Sequence, residues 1–230
     1  MILFMENRVC WVTSFNEKYF NNVGKISLPT WRYLTDDKFF LCEVDPAIIP
    51  SYANKIDIRQ DIINFYPEMQ RSIEHKAKKA FKFFKKAFSI WYALEKFSSD
   101  YDYIIWLDTD AIIQKPINLE NLLPNNDQLF STIIRGTHGC DSGFVAFNTN
   151  HQNFKTFPSE YIKYYIEGKI WDMHNPWDAY ILEDFSKREN IKNLYTGNRQ
   201  DASCGFQDTL LWEYVNHYWG KKGKITLGTN

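Results

Sequence analysis

The chain has 230 residues, 44% of them hydrophobic, which suffices for one sizeable packed core and leaves room for at most two small domains. Charged residues make up 24% but nearly cancel, to a formal net charge of -1, so no global field recruits nucleic acid or an anionic membrane and any anion has to be bound locally. The cysteines Cys10, Cys42, Cys140 and Cys204 lack paired spacing, which argues against a disulfide framework or a zinc site and fits reduced thiols in a cytoplasmic protein.

The opening MILFMENRVCWV carries only a short apolar run before Glu6, Asn7 and Arg8. No later run approaches the roughly 18 residues of a spanning helix, so a cytoplasmic protein with no transmembrane segment is expected. The stretch RVCWVTSF, Arg8 to Phe15, is β-branched and aromatic-rich and predicts a strand leading into a polar loop. FFLCEV, Phe39 to Val44, predicts a second strand ending at Asp45-Pro46, and the residues between Tyr19 and Leu34 mix turn formers with a helical stretch.

From Ser72 to Phe97, Ile73, Ala77, Ala80, Phe84, Ala87, Trp91 and Leu94 recur every three or four residues, which predicts an amphipathic helix. Its lysines mostly fall off that stripe and read as a solvated face, with Lys86 the one placed to reach a phosphate. Tyr103 to Leu107 is a continuous apolar strand, of the kind buried on both faces of a mainly parallel sheet. INLENLLP then predicts a short helix, LFSTIIRG a strand, and DSGFVAFN, Asp141 to Asn148, another strand. Helices are expected around Ser159 to Glu167, after Pro176 in PWDAYILEDF, and in QDTLLWEYVNHYW. Strands alternating with helices predict an α/β layered fold, and with no internal repeat or linker the expectation is a single domain over residues 1–230.

The chemistry concentrates in YDYIIWLDTDAIIQKP, Tyr101 to Pro116, where a buried strand runs into Asp108-Thr109-Asp110. Two carboxylates so close repel, and burying them unpaired is expensive, so a positive partner is expected. If the chain is still extended there, Thr109 points away and both carboxylates face one point, beyond the carboxyl end of a strand where α/β sheets bind ligands. A hard divalent cation, Mg²⁺ or Mn²⁺, suits such a pair, its remaining positions filled by water and phosphate oxygens. The competing explanation is an exposed turn, against which Ala111-Ile112-Ile113 follows where Gly, Ser or Pro would be expected.

An aromatic-apolar strand, Asp-X-Asp, an apolar pair and Lys-Pro together resemble the metal-binding motif of GT-A fold glycosyltransferases, which use nucleotide-activated sugars. KKAFSIWYALEKF before the motif and DSGFVAFNT after it are similar in order and spacing to the flanking helix and acceptor-side strand of that family, and the resemblance covers roughly Arg8 to Phe185. It implies a Rossmann-like GT-A core with a mixed, mainly parallel sheet flanked by helices. It further implies Mn²⁺ or Mg²⁺ on Asp108 and Asp110, a nucleoside-diphosphate sugar donor and a glycan or other hydroxyl-bearing acceptor. Thr13, Ser14 and Phe15 would then lie against base and ribose, Asp45 would accept from the base, and Lys86, Asp108 and Thr109 would face the donor. Asp141, among small residues in RGTHGCDSGF, and Asp178, in NPWDAY, are the candidates for holding sugar hydroxyls or acting as general base. A turn residue and a first-turn helix acid are the respective structural alternatives.

A third metal ligand in some relatives is a late histidine, but the surrounding pattern is not recognisable, and none of His138, His174 and His217 stands out. Trp171 and Trp177 fit either core packing or an acceptor-sugar platform. The aromatics, 17% of the chain, recur in every element, which fits codon bias more than dedicated stacking sites. Two further readings share the motif. One is a haloacid-dehalogenase-like phosphatase with Asp108 as nucleophile and Glu183-Asp184 as its metal pair. The other is a non-catalytic sugar-binding module, which needs no buried cation site.

Overall fold

A strand that is apolar at every position needs a covering layer on each face. β4 (Tyr103–Leu107) is buried along its whole length and lies in the middle of a seven-stranded sheet. The computed structural model describes residues 7–45, 49, 51–65, 78–135, 139–197 and 206–217. The other strands of this sheet are β1 (Val9–Asn16), β2 (Asp37–Glu43), β3 (Asn54–Asp57), β6 (Phe130–Ile134), β7 (Cys140–Asn148) and β8 (Lys192–Asn193), in the spatial order β3-β2-β1-β4-β7-β6-β8. β1, β2, β3 and β4 pair in parallel, as do β6 and β8, whereas β7 runs antiparallel to both of its neighbours. This is the mixed, mainly parallel sheet that the sequence predicts. β1, β2 and β4 therefore end at one edge, and the reversed β7 begins there.

Side chains alternate between the two faces with the strand period of two. Cys10 and Val12 of β1, Ile104 and Trp106 of β4, and Val145 and Phe147 of β7 join one core. Phe84, Phe88, Phe157, Tyr161, Tyr165 and Phe185 complete that core from the helices Lys78–Phe97, Phe157–Ile166 and Asp178–Ser186. Val9, Trp11, Tyr103, Ile105, Phe144 and Ala146 join the opposite core. There the cover is the helical segment over residues 17–33, with Phe20, Leu28 and Trp31, together with Leu122, Phe206 and Leu211. The Lys78–Phe97 helix leads through a short turn, with Asp100 N and Tyr101 N donating to Phe97 O at 3.0 and 3.2 Å, into the start of β4. Its C-terminus thus lies at the edge where β4 begins, and its N-terminal half points toward the edge where β4 ends. The part of the predicted helix before Lys78 lies outside the described residues.

Two expected helices are not helices. INLENLLP makes one turn, with Leu122 N and Leu123 N donating to Leu119 O at 2.9 and 3.0 Å. Ser131 Oγ takes the Leu122 carbonyl at 2.6 Å, the acceptor a growing helix would need, and Pro124 follows immediately. In QDTLLWEYVNHYW the described residues form turns and then β9 (Val215–His217), which pairs antiparallel with β5 (Ala111–Ile113) in a separate two-stranded sheet. The apolar triplet after the Asp-X-Asp turn offers an unpaired edge, and tertiary pairing to it outweighs the helical spacing of the later segment. Among the described residues no helix is long and apolar enough to cross a membrane.

Phe84 is fully buried and packs on Phe65, Phe88 and Tyr165. Phe84→Ala is expected to lower unfolding stability by about 3–5 kcal/mol in urea titration, the usual loss for a large aromatic removed from a core. A loss below about 1 kcal/mol would mean that this helix is not anchored as described.

Candidate metal and donor site

The alternation of β4 decides where the acids go. Ile104 and Trp106 face the helical layer, and Asp108, the next residue in that series, points the same way: it accepts from Trp106 Nε1 at 2.8 Å and pairs with Lys86 Nζ at 2.7 Å. Lys86 sits on the Lys78–Phe97 helix, its ammonium also donating to Ser142 O and Oγ at 3.0 Å and lying 3.5 Å from Asp178 Oδ2. The lysine expected to lie near the donor is thus folded into the acidic cluster rather than out in solvent.

Thr109 turns the other way and locks the loop. Its hydroxyl lies 2.8 Å from Thr13 Oγ1 and donates to Ser14 O at 2.9 Å, while its carbonyl accepts from Ser27 Oγ. Ala111 N donates to Asp108 O at 3.0 Å and closes the turn. Asp110 then faces His217, whose Nε2 is 3.0 Å from Asp110 Oδ1 and 3.9 Å from Asp108 Oδ2. Pairing of β9 with β5 places Ala111 opposite His217, so the strand that continues the Asp-X-Asp turn pairs with the strand that brings in its third partner.

β7 brings a second acidic residue to the same place. Its register against β6 jumps between Thr132 and Ile133, from Val145 to Asp141, leaving Ser142, Gly143 and Phe144 outside the strand register, with the Thr132 hydroxyl donating to Phe144 O at 3.0 Å across the gap. This bulge re-aims the chain toward the turn, as bulges beside functional sites commonly do. Gly143 O accepts from Asp108 N at 2.9 Å, and Asp141 takes Gly143 N on Oδ1 at 2.9 Å and the buried Arg135 on Oδ2 at 3.2 Å. At Gly143 a Cβ would lie 2.8 Å from His217 Cε1 and 3.0 Å from Asp141 Oδ1, so the close approach of strand and imidazole requires glycine.

Burial pushes the Asp108 carboxyl above its usual range against the pull of Lys86, and the like charge of Asp110 adds to the rise. At Asp110 burial also works upward, but the His217 hydrogen bond and charge and the Tyr19 hydroxyl outweigh it, and the net direction is down. His217 shows the reciprocal balance: burial lowers it, Asp110 raises it further, and the net direction is up. Lys86 is likewise held protonated, its burial overcome by Asp108 and Asp178.

One ligand atom each from Asp108, Asp110 and His217 lies within 4.8 Å of the others. Two donors about 2.1 Å from a common ion stand at most about 4.2 Å apart, so the 3.0 and 3.9 Å contacts of His217 fit one shared cation with little movement. Two carboxylates and an imidazole suit Mn²⁺ or Mg²⁺ with open positions for water and phosphate.

The remaining expected residues are placed as follows. Thr13 and Phe15 are buried under the loop after β1, Phe15 stacking on Phe20 at 5.6 Å, and Ser14 is half-buried. Asp45 is exposed beyond β2, within electrostatic reach of Arg59. Asp178 is buried at the start of its helix, Trp171 packs on the helical-side core, and Trp177 is exposed. Glu183 pairs with Lys187 at 3.1 Å and Asp184 accepts from Tyr164, so both are engaged elsewhere. His138 and Cys204 lie outside the described residues. His217 is the residue that sequence reasoning passed over. The signal was the period-two pair Val215 and His217, masked by the helical spacing of the residues before it.

No family model matches the chain, and no curated protein matches it. Among solved structures, it superposes on the apo form of mouse xyloside xylosyltransferase 1 with a TM-score of 0.52 at 12% identity, over 81% of this chain and 85% of that one. It superposes on the apo form of the glycosyltransferase GlyE of Streptococcus pneumoniae TIGR4 with a TM-score of 0.51 at 12% identity, over 81% of this chain and 45% of that one. The fold is the GT-A fold. The GT-A core here spans less than half the length of GlyE.

Gly143→Ala is expected to push His217 off its position and weaken Mn²⁺ binding about 10–100-fold, the range seen when groups supporting a ligand are disturbed. Isothermal titration calorimetry checks this, and an unchanged affinity would remove His217 from the metal shell.

Proposed function

We propose that the protein is a metal-dependent glycosyltransferase that moves a sugar from a nucleoside-diphosphate sugar to a hydroxyl of a glycan or other acceptor, in a single domain. The observation that carries this reading is the convergence of Asp108, Asp110 and His217 at the carboxyl end of β4 within a GT-A fold. The names of the two structural neighbours, a glycosyltransferase and a xyloside xylosyltransferase, agree with it.

In this reading Asp108, Asp110 and His217 hold Mn²⁺ or Mg²⁺. When bound, the ion supplies Lewis-acid neutralisation of the donor diphosphate as negative charge develops on it. The nucleoside lies over the β1 and β2 ends, where Ser14 and Asp45 present polar groups and Thr13, Phe15 and Thr109 support the loop from beneath. Lys86 fixes Asp108 and holds a positive charge beside the diphosphate. In the transfer, an acceptor hydroxyl oxygen bonds to the anomeric carbon and its proton passes to a carboxylate base, for which Asp141 and Asp178 are the candidates, while the bond from that carbon to the diphosphate oxygen breaks and the nucleoside diphosphate leaves with the electron pair. Asp141 and Asp178 stand on the sugar side. The Asp178 Oδ2 atom is buried, has no hydrogen-bond donor among the described residues and lies 3.5 Å from Lys86, so it is the oxygen suited to a donated sugar hydroxyl.

Purified protein incubated with Mn²⁺ and a panel of nucleoside-diphosphate sugars is expected to release nucleoside diphosphate. Asp110→Asn or chelation by EDTA is expected to reduce that release to background, while circular dichroism shows the variant folded. Cleavage of a generic phosphomonoester in place of sugar-nucleotide turnover would replace this reading with the phosphatase.

A further inference from the structure

We propose that the Trp177 indole is the floor of a subsite for a pyranose ring, so that the acceptor is a carbohydrate. The word acceptor rests on the function proposed above; the sugar-binding surface does not. Trp177 is 37% exposed, against 1% for its neighbour Asp178, so a partly exposed aromatic ring and a buried site carboxylate stand side by side. The ring is not loose: it packs on Phe83 at 5.4 Å between centroids and on Tyr180 at 5.9 Å. Phe83 lies three residues before Lys86, about 4.5 Å further along the helix toward the edge where β4 ends. The indole therefore sits further toward that edge than the Lys86–Asp178 pair.

The function proposed above puts the nucleoside elsewhere. Going across the sheet, the β1 and β2 ends, the Asp108–Asp110 turn after β4, and the start of β7 follow in order, and the Asp178–Ser186 helix packs against β7. The Asp178–Ser186 helix that Trp177 precedes thus packs on β7, across the metal turn from the β1 and β2 ends. The local chemistry is that of a sugar site. An indole offers an apolar face to the C–H side of a pyranose, and polar groups wait at its rim: Asn175 Nδ2 donates to Tyr180 Oη at 3.1 Å, leaving both side chains further capacity for hydroxyls.

The test is saturation-transfer NMR on the full chain with diamagnetic Mg²⁺ and nucleoside diphosphate present, using methyl glycosides and disaccharides of glucose, galactose, mannose and N-acetylglucosamine as probes. At least one probe is expected to receive saturation at its ring C–H protons. The signal is expected to vanish in Trp177→Ala, to persist in Trp177→Phe, which keeps an aromatic face, and to persist in Trp212→Ala, which removes an exposed tryptophan elsewhere. Absence of transfer to every probe, or an equal signal in Trp177→Ala, would overturn the subsite. Binding here is read without turnover, so a failure of sugar-nucleotide release in the earlier assay leaves this result intact, and the reverse also holds.

Discussion

Everything at the site follows from the cost of keeping two carboxylates at the end of a buried strand. Ionised groups removed from water lose several kcal/mol of hydration each, and Asp108 and Asp110 also repel one another. The chain answers with an ammonium from one side and an imidazole from the other. Lys86 pairs with Asp108 at 2.7 Å and His217 with Asp110 at 3.0 Å. The compensation is incomplete, since Lys86 is shared with Asp178 and burial still pushes the Asp108 carboxyl upward. A surplus of negative charge with few solvent dipoles around it is an attractive place for a divalent cation, and an added ion would relieve the repulsion that the protein leaves unresolved.

Holding that arrangement requires the surrounding layers. Strand periodicity sends Asp108 toward the helices and Thr109 toward β1, where hydroxyl contacts with Thr13, Ser14 and Ser27 pin the turn. The bulge in β7 supplies the backbone acceptor for Asp108 N and the small surface at Gly143 on which His217 rests. Asp141 is steadied by Arg135, which itself lies over the Tyr195 ring at 5.5 Å. Each acid therefore has a fixed direction before any ligand arrives, which is the condition for preorganised electrostatics.

Much of the scaffold was legible beforehand because it obeys local rules. Val9–Asn16, Tyr103–Leu107 and Cys140–Asn148 are long apolar runs, and the Lys78–Phe97 helix carries a clear stripe. Leu119–Leu123 and the region before His217 were misread for one reason: their spacing suits a helix, but neighbours made better offers to the backbone. Ser131 took a carbonyl in the first case, and the β5 edge took the strand in the second.

The sequence alone determined the two-acid turn, the strand that buries it and the need for positive charge nearby, since these follow from apolar runs and from the electrostatics of adjacent carboxylates. Only the tertiary structure decided which groups supply that charge. Lys86 is one of many lysines on its helix, and His217 lies more than a hundred positions from Asp110 along the chain. Strand pairing, helix phase and a bulge bring them within 3 Å of the acids, and such long-range geometry leaves no periodic mark for a linear reading to find.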